Sequence, residues 1–501
     1  MKKKAIFTLS LIGAFVLPVV TMIPICLYLI NNKFSNGSIS DGPSQDKPVN
    51  PGNPNIPDVP SNPDGSIKYE NKVNPITDGS YAFSTYDKIN DSINYSIGPT
   101  NVPPSSGVES AINLTRGYLY SDLQASQAKR TLGVNFLHSI GINSGTAWIL
   151  DYKLTNDNSY PLTWYFGTNA HVLDNLKVPN DTITPERYEK NDSTYNTQFV
   201  EFLTLNDFTL DQEMGNSSGK YYTRTKINPI DGNNNTRAKT IFIGNDYLKT
   251  SPSMYSKTER WQKYEEYADF AVMEFTFDNV EQARLITHNY ADNTDNQFKY
   301  KKESLLVKQE NIKSDNYSIV GFPAVINNPY LSTIAINRPA PVPLEQKRIG
   351  SNLGTSPYYN SYYDKKGAFD AALSLSYFGY SYEISKSEFI EEYYLSWGLM
   401  YPCDYSHLSA GSSGSLFIDL EGYALGVYFA SDERASMGLV QALYSEGFDY
   451  QGSFGRYNLE GYDLIDGGFP NQKKSYRDGL IQLYGNNNEF KTNLYPNGIN
   501  R

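Results

Sequence analysis

The chain has 501 residues, which is more than one small domain needs and enough for one large domain with additional segments. Its formal net charge is −11, and no stretch combines clustered Lys and Arg with interleaved aromatic residues, so the sequence argues against a nucleic-acid partner. Only 2 cysteines occur, Cys26 in an apolar N-terminal stretch and Cys403 far away, so disulfides are not expected to hold the fold together.

The N-terminus has the features of a membrane anchor. Lysines at positions 2–4 precede an uncharged, mostly apolar stretch from Ala5 to Asn32. A secretory hydrophobic region has about 7–15 residues and a spanning helix needs about 20, so residues 1–34 are predicted to be a signal anchor with one transmembrane helix. The lysines stay inside the cell, which places the globular part outside. A lipoprotein attached through Cys26 is the alternative, although the bulky Ile25 before this cysteine disfavours it.

Residues 35–75 are predicted to be a Pro-rich disordered linker. Prolines recur there at every third position: Pro48, Pro51, Pro54, Pro57, Pro60 and Pro63. This spacing is typical of a polyproline II rod, which rises about 3.1 Å per residue and buries no core. We interpret the segment as a stalk that lifts the globular domain, residues 76–501, off the membrane.

The globular domain is predicted to be mainly β. Short apolar runs alternate with Gly, Asn, Asp and Pro, which indicates an antiparallel sandwich or a pair of barrels rather than alternating β/α units. Examples of such runs are Thr146–Leu150, Leu162–Phe166, Phe270–Phe275, Tyr317–Val320, Ser415–Ile418 and Leu425–Phe429. Helices are predicted only at Ser121–Thr131 and Ser387–Glu392. No Cys/His spacing or Gly-rich loop is typical of a metal or phosphate site, so no metal or cofactor is expected.

The first segment with catalytic character is Gly411-Ser412-Ser413-Gly414-Ser415. A nucleophilic serine needs an exposed hydroxyl, with backbone N–H groups beside it that stabilise the developing oxyanion. Glycines on both sides allow the tight turn that this arrangement requires. Ser413 is therefore the candidate nucleophile, and the N–H groups of Gly411 and Ser413 are the candidate oxyanion hole. Taken alone, such a run is also common in ordinary surface loops.

Two further segments supply a candidate base and acid. His171 follows the strand-like run Phe166-Gly167-Thr168-Asn169-Ala170, and the other three of the 4 histidines lack comparable surroundings. Histidine titrates near neutral pH, as a base for a serine hydroxyl should. Asp269 opens the apolar run Phe270–Phe275, where a buried carboxylate needs a partner. Separately, each has a plain structural explanation, a strand-end histidine and a turn aspartate.

The chain order His171, Asp269, Ser413 is that of chymotrypsin-like serine proteases. The expected fold is therefore a trypsin-like double β-barrel with long loop insertions, such as Asp174–Thr240 and Tyr330–Ser385. His407, six residues before the nucleophile, and Gly426, on the following strand, are candidate residues of a specificity pocket.

Four segments together resemble the mycoplasma immunoglobulin protease family: Gly145-Thr146-Ala147-Trp148, Gly167-Thr168-Asn169-Ala170-His171-Val172, Asp269-Phe270-Ala271-Val272 and Gly411-Ser412-Ser413-Gly414-Ser415. The resemblance covers about residues 130–431. It implies a serine endopeptidase on the cell surface that cleaves the immunoglobulin heavy chain together with a separate immunoglobulin-binding protein. Two other functions stay open: a surface binding protein on an unused protease scaffold, and a general nutrient-acquiring surface protease.

Overall fold

A computed structural model describes residues 119, 121–179, 196–210, 220–251, 264–293, 297–305, 317–322, 324–325, 328–332, 335–336, 393–404, 411–432, 437–448 and 459–501. The predicted anchor at 1–34, the predicted linker at 35–75 and the predicted helix at 387–392 lie outside these residues. Among the residues that are described, no helix is long and apolar enough to span a membrane.

The elements of the described residues follow in chain order. The helices are α1 (Asp122–Lys129), α2 (Ala170–Leu173), α3 (Val280–Thr287) and α4 (Tyr476–Tyr484). The strands of the first half are β1 (Thr131–His138), β2 (Gly141–Tyr152), β3 (Thr163–Thr168), β4 (Phe199–Leu205), β5 (Tyr222–Ile227), β6 (Ala238–Asn245) and β7 (Tyr264–Thr276). Those of the second half are β8 (Tyr317–Gly321), β9 (Ala324–Val325), β10 (Asn328–Ser332), β11 (Ala335–Ile336), β12 (Tyr393–Ser396), β13 (Met400–Asp404), β14 (Leu416–Asp419), β15 (Ala424–Asp432), β16 (Met437–Ala442), β17 (Tyr444–Phe448) and β18 (Leu459–Asp463).

Two large sheets contain most of these strands. In the described residues, the first sheet has 8 strands in the order β12-β7-β3-β2-β1-β4-β5, with β6 paired to β7. The second sheet has 6 strands in the order β11-β8-β14-β15-β16-β13. All of these pairings are antiparallel except that of β12 with β7, which is parallel. The predicted mainly β, antiparallel architecture is confirmed.

The first sheet is buried on both faces. Along β2, Ala147 and Ile149 pack into the cluster inside the first sheet, whereas Trp148 and Leu150 pack into the cluster that the second sheet shares. An antiparallel sheet commonly leaves one face to solvent. Here residues of the second sheet and of the C-terminal segment 464–501 cover the other face, so β2 is buried on both faces from Gly145 to Tyr152.

Side-chain caps fix where the longer helices begin. Ser121 accepts a hydrogen bond from the N–H of Gln124 at the start of α1, and Ser475 accepts one from Asp478 at the start of α4. Each cap satisfies a backbone donor that has no partner within the helix. In α1, Asp122 in the first turn and Lys129 in the last turn also complement the helix dipole. The predicted helix at Ser121–Thr131 is thereby confirmed.

The six predicted apolar runs all fall on strands, but one loop prediction was wrong. The segment Asp174–Thr240 contains β4 and β5, which pair with β1 and with each other as part of the first sheet. These strands alternate in polarity and include Glu201 and Arg224, which form an ion pair at 2.9 Å. The wide spacing between His171 and Asp269 therefore contains strands of the sheet, in which polar residues are paired across neighbouring strands. The other segment, Tyr330–Ser385, lies mostly outside the described residues.

Candidate active site

The predicted base and acid are in direct contact. The Nδ1 atom of His171 lies 2.7 Å from Oδ2 of Asp269, and the backbone N–H of His171 donates to Oδ1 at 3.1 Å. The Asp269 side chain is fully buried, whereas 27% of the His171 side chain is exposed. A buried carboxylate is costly unless donors satisfy it, and His171 supplies two of them. One ring nitrogen of the imidazole is thus held by the carboxylate while the ring stays accessible.

Glycines in two of the motifs let α2 and β3 approach β2. A Cβ at Gly145 would lie 2.4 Å from Cγ1 of Val172, the residue after His171. A Cβ at Gly167 would lie 2.4 Å from the ring of Trp148. Both distances are far below van der Waals contact, so any larger side chain would push apart the elements that carry His171.

The candidate nucleophile loop, residues 411–415, connects the second sheet to the first. The carbonyl oxygen of Ser413 accepts from the N–H of Thr146 at 2.8 Å, and that of Gly411 accepts from the Thr146 hydroxyl at 3.0 Å. Thr168 in turn donates from its hydroxyl to the Thr146 carbonyl at 2.7 Å. Thr168 ends β3 three residues before His171, so the loop lies against the strand end that carries the base.

Three backbone N–H groups of this loop, those of Gly411, Ser412 and Ser413, have no acceptor among the described residues. Gly411 and Gly414 have φ angles of +93° and +97°, in the region that favours glycine. Gly414 donates its N–H to the carbonyl of Tyr428 and Ser415 donates to Ser412. Within the described part of the chain, the N–H groups of Gly411 and Ser413 donate to no protein acceptor. An oxyanion hole needs backbone N–H groups without another acceptor, and the assignment of Gly411 and Ser413 to this role stays a prediction.

One of the two candidate pocket residues, Gly426, lies within the described residues. Gly426 lies on β15, where a Cβ would be 2.4 Å from Cγ1 of Val440 on the neighbouring strand. The same strand first contacts the loop at Tyr428, through its carbonyl oxygen. His407 lies outside the described residues. A role for either residue in specificity stays a prediction.

Four residues around the candidate site form contacts that the sequence analysis does not assign to them. Thr146 and Thr168 hold the nucleophile loop, and Asn169 donates from Nδ2 to the Asp269 backbone carbonyl at 2.6 Å. The buried hydroxyl of Tyr267 donates to Oδ1 of Asp269. The position of Tyr267 could be predicted from strand geometry, because side chains two residues apart on a strand, such as those of Tyr267 and Asp269, point to the same face. The threonines and Asn169 form contacts across different strands, which no local pattern indicates.

One acidic group elsewhere has the spacing of a metal site. Ligand atoms of Asp246, Glu265 and Glu266 lie within 4.8 Å of one another. Lys473 forms an ion pair with Asp246 and supplies positive charge there. Burial raises the pKa of the Glu266 carboxyl, which favours its neutral form. This group contains none of the predicted catalytic residues.

Comparison with known proteins decides the family. The model of the family described as mycoplasma immunoglobulin protease matches residues 121–430, which is more than half of the chain. The chain belongs to this family. The matched region contains β1–β14, the predicted base and acid, and the nucleophile loop.

Individual relatives of the family are distant. A membrane-associated lipoprotein of Ureaplasma parvum is 28% identical over 438 residues, covering 72% of this chain and 50% of that protein. An uncharacterized lipoprotein of Mycoplasma pneumoniae is 26% identical over 249 residues, covering 43% of this chain and 44% of that protein. The chain thus spans about half of the length of these two relatives. The solved structure of the mycoplasma MIB and MIP proteins is similar in fold, with a TM-score of 0.55 and 22% identity over 72% of this chain and 60% of that one.

Proposed function

We propose that the protein is a serine endopeptidase in which Ser413, His171 and Asp269 form the catalytic triad. The observation that carries the proposal is the hydrogen bond between His171 Nδ1 and the fully buried carboxylate of Asp269. These residues are 98 positions apart in the chain. A buried aspartate that holds one nitrogen of an accessible imidazole is the arrangement that a serine hydroxyl needs for its activation.

The proposed reaction uses each group once in acylation and again in deacylation. Because Nδ1 faces Asp269, the scheme assigns to Nε2 the Ser413 proton that is released as Oγ attacks the peptide carbonyl. The N–H groups of Gly411 and Ser413 stabilise the resulting oxyanion. His171 then donates its proton to the departing amine, and water hydrolyses the acyl-enzyme by the same route. Asp269 stabilises the imidazolium that forms in each step.

The proposed architecture is a trypsin-like double β-barrel, with the site at the junction of the two sheets. Thr146 supports this interpretation, because its backbone and hydroxyl join β2 of the first sheet to the nucleophile loop of the second. In such folds catalytic residues lie on loops positioned by rigid sheets. His407 and Gly426 remain the proposed pocket residues.

The proposed substrate is the immunoglobulin heavy chain, cleaved together with a separate immunoglobulin-binding partner. Membership of the family supports this substrate, and the structure with a similar fold contains two mycoplasma proteins, MIB and MIP.

The proposed location is the outer side of the cell membrane. Relatives named as lipoproteins favour attachment through Cys26 over a single transmembrane anchor. Mass spectrometry of the membrane-extracted protein distinguishes a lipid-modified Cys26 from an unmodified N-terminal segment.

The test is Ser413→Ala, assayed on intact IgG in the presence and absence of the binding partner. Turnover should fall by about 10⁴-fold or more, as for nucleophile removal in other triads, while the fold is retained. Ser412→Ala is the matched control, because the Ser412 hydroxyl is fully buried and has no hydrogen-bond partner among the described residues. Cleavage by Ser413→Ala at the normal rate would contradict the assignment.

The two alternative functions give different results in the same assay. A binding protein on an unused scaffold would bind IgG with or without Ser413 and never cleave it, even with its partner present. A nutrient protease would degrade unfolded casein as readily as folded IgG. A serine-directed inhibitor that labels the wild type but not Ser413→Ala supports the peptidase over the binding protein.

A further inference from the structure

A tyrosine shares the catalytic carboxylate with His171. Tyr267 precedes Asp269 by two residues on β7, so both side chains point to the same face of the sheet. The Tyr267 side chain is fully buried, and its hydroxyl donates to Oδ1 of Asp269. The same oxygen accepts the backbone N–H of His171 at 3.1 Å, while Oδ2 faces the imidazole.

We propose that Tyr267 is a positioning residue of the active site, which fixes the Asp269 carboxylate and sets the basicity of His171 through this hydrogen bond. The inference rests on the proposed function of the same site, because only a working triad gives the bond a catalytic consequence. Tyr267 does not contact the substrate or the reacting atoms in this scheme.

The backbone around Tyr267 holds the ring in place. Its carbonyl oxygen accepts from the N–H of Trp397 at 2.8 Å, and β12 pairs in parallel with β7 up to Tyr267. On the other side Asn245 of β6 lies opposite Tyr267 in the antiparallel register. The ring of Tyr394 lies 6.5 Å from that of Tyr267. Because the strands on both sides already restrict the ring of Tyr267, its hydroxyl loses little further conformational entropy when it binds the carboxylate.

The electrostatic effect of the bond follows from the burial of Asp269. The carboxylate is out of contact with water, so its charge is dispersed only by the donors that the protein supplies. Tyr267 provides one such donor without adding a positive charge. Removing its hydroxyl leaves Oδ1 with fewer donors and concentrates negative charge beside the imidazole. His171 should then hold its proton more tightly and act as a base only at higher pH.

The test compares Tyr267→Phe with Tyr476→Phe in the full chain. Tyr476 is a matched control, because it is also fully buried and its hydroxyl donates to another buried carboxylate, Asp151, at 3.1 Å. In Tyr267→Phe, kcat should fall about tenfold with little change in KM, as expected for loss of a hydrogen bond to a charged group. The acid limb of the pH–rate profile should move up by roughly half a pH unit. Tyr476→Phe should change neither.

A second measurement does not depend on activity. The titration midpoint of the His171 imidazole, followed by NMR of histidine-labelled protein, should rise in Tyr267→Phe and stay constant in Tyr476→Phe. If the wild type cleaves nothing, the proposed function fails, while the titration still decides the role of Tyr267. An unchanged titration and pH profile in Tyr267→Phe, or equal changes in both variants, overturns the inference.

If Tyr267→Phe does not fold, a variant with a stronger hydrogen-bond donor at the same position still tests the proposal. Incorporation of 3-fluorotyrosine at position 267 makes the hydroxyl a better donor and nearly keeps the ring volume. The acid limb and the His171 titration should then both move to lower pH. A move to higher pH, or none, contradicts the proposed direction of the effect.

Discussion

Two buried aspartates of the first sheet, Asp269 and Asp151, have similar surroundings and different partners. Each accepts a hydrogen bond from a buried tyrosine hydroxyl, Tyr267 in one case and Tyr476 in the other. Asp269 also contacts the partly exposed His171. Asp151 instead accepts the backbone N–H groups of Tyr152 and of Leu494, the latter from the C-terminal residues that cover the sheet.

The two carboxylates are both buried and differ in the partners that they contact. Asp151 joins β2 to the C-terminal segment, and burial raises its pKa from 3.8 to about 7 despite four hydrogen-bond partners. Among the described residues it forms no ion pair with a base. Asp269 is bonded to an imidazole that can gain a proton. Asp269, whose partner His171 is titratable and accessible, is suited to acid–base chemistry. Asp151, which has no such partner among the described residues, is suited to stabilising the fold.

The largest expected contrast comes from Asp269→Asn. The new amide would place an N–H group opposite His171 Nδ1, which would turn the imidazole into the tautomer that carries its proton on Nε2. That nitrogen then cannot accept the Ser413 proton, and kcat should fall about 10⁴-fold, as in other triads. Steady-state kinetics on IgG or on a cleaved peptide measures the loss.

The paired control is Asp151→Asn, which should leave kcat within about twofold, because single changes outside the reacting groups leave the site geometry in place. Comparable losses in both variants would mean that Asp269 acts through the stability of the sheet. Circular dichroism of both proteins excludes loss of the fold as the cause.

The next contrast concerns pH and the stability of Asp151→Asn. Since the pKa of Asp151 is raised on folding, the folded state binds the proton more tightly, and Asp151 lowers stability as pH rises from about 4 to about 7. Asparagine mimics the protonated carboxyl. The variant should match the wild type near pH 4 and exceed it above pH 7, with a difference that grows by at most about 1.4 kcal/mol per pH unit.

Denaturant titrations at several pH values measure this difference. Two other buried acids, Glu460 and Asp463, also have raised pKa values, of about 7 and about 6. Both are present in each protein, so their contributions cancel in the comparison. A wild type that gains stability relative to the variant as pH rises would show that the hydrogen bonds of Asp151 outweigh its burial.

The smallest expected effect is that of Tyr476→Phe on stability. The change removes one hydroxyl that donates to Asp151 and leaves the packed ring, so the free energy of unfolding should fall by about 1–2 kcal/mol. A loss of stability with unchanged kcat would confirm that this tyrosine–aspartate pair serves the fold. Thermal denaturation at pH 8, where Asp151 is ionised, gives the clearest reading.

The sequence was sufficient to predict six of the strands. Short apolar runs between turn residues predicted β2, β3, β7, β8, β14 and β15, because alternation and turn chemistry act within a few residues. It failed for β4 and β5, where the buried Glu201 is satisfied across the sheet by ion pairs with Arg224 and Lys226 and by a hydrogen bond from Asn135. Such compensation appears in no local pattern.

The sequence by itself determined which residue types stand at the site, in which order, and that glycines flank Ser413. Only the tertiary structure decided that Asp269 contacts His171, that Thr146 joins the nucleophile loop to the first sheet, and that Tyr267 and Tyr476 serve different aspartates. The physical reason is the distance along the chain over which each effect acts. Turn and strand preferences depend on neighbours in the chain, whereas the partner of a buried charge is set by whichever side chain the packing of distant strands brings within hydrogen-bond distance.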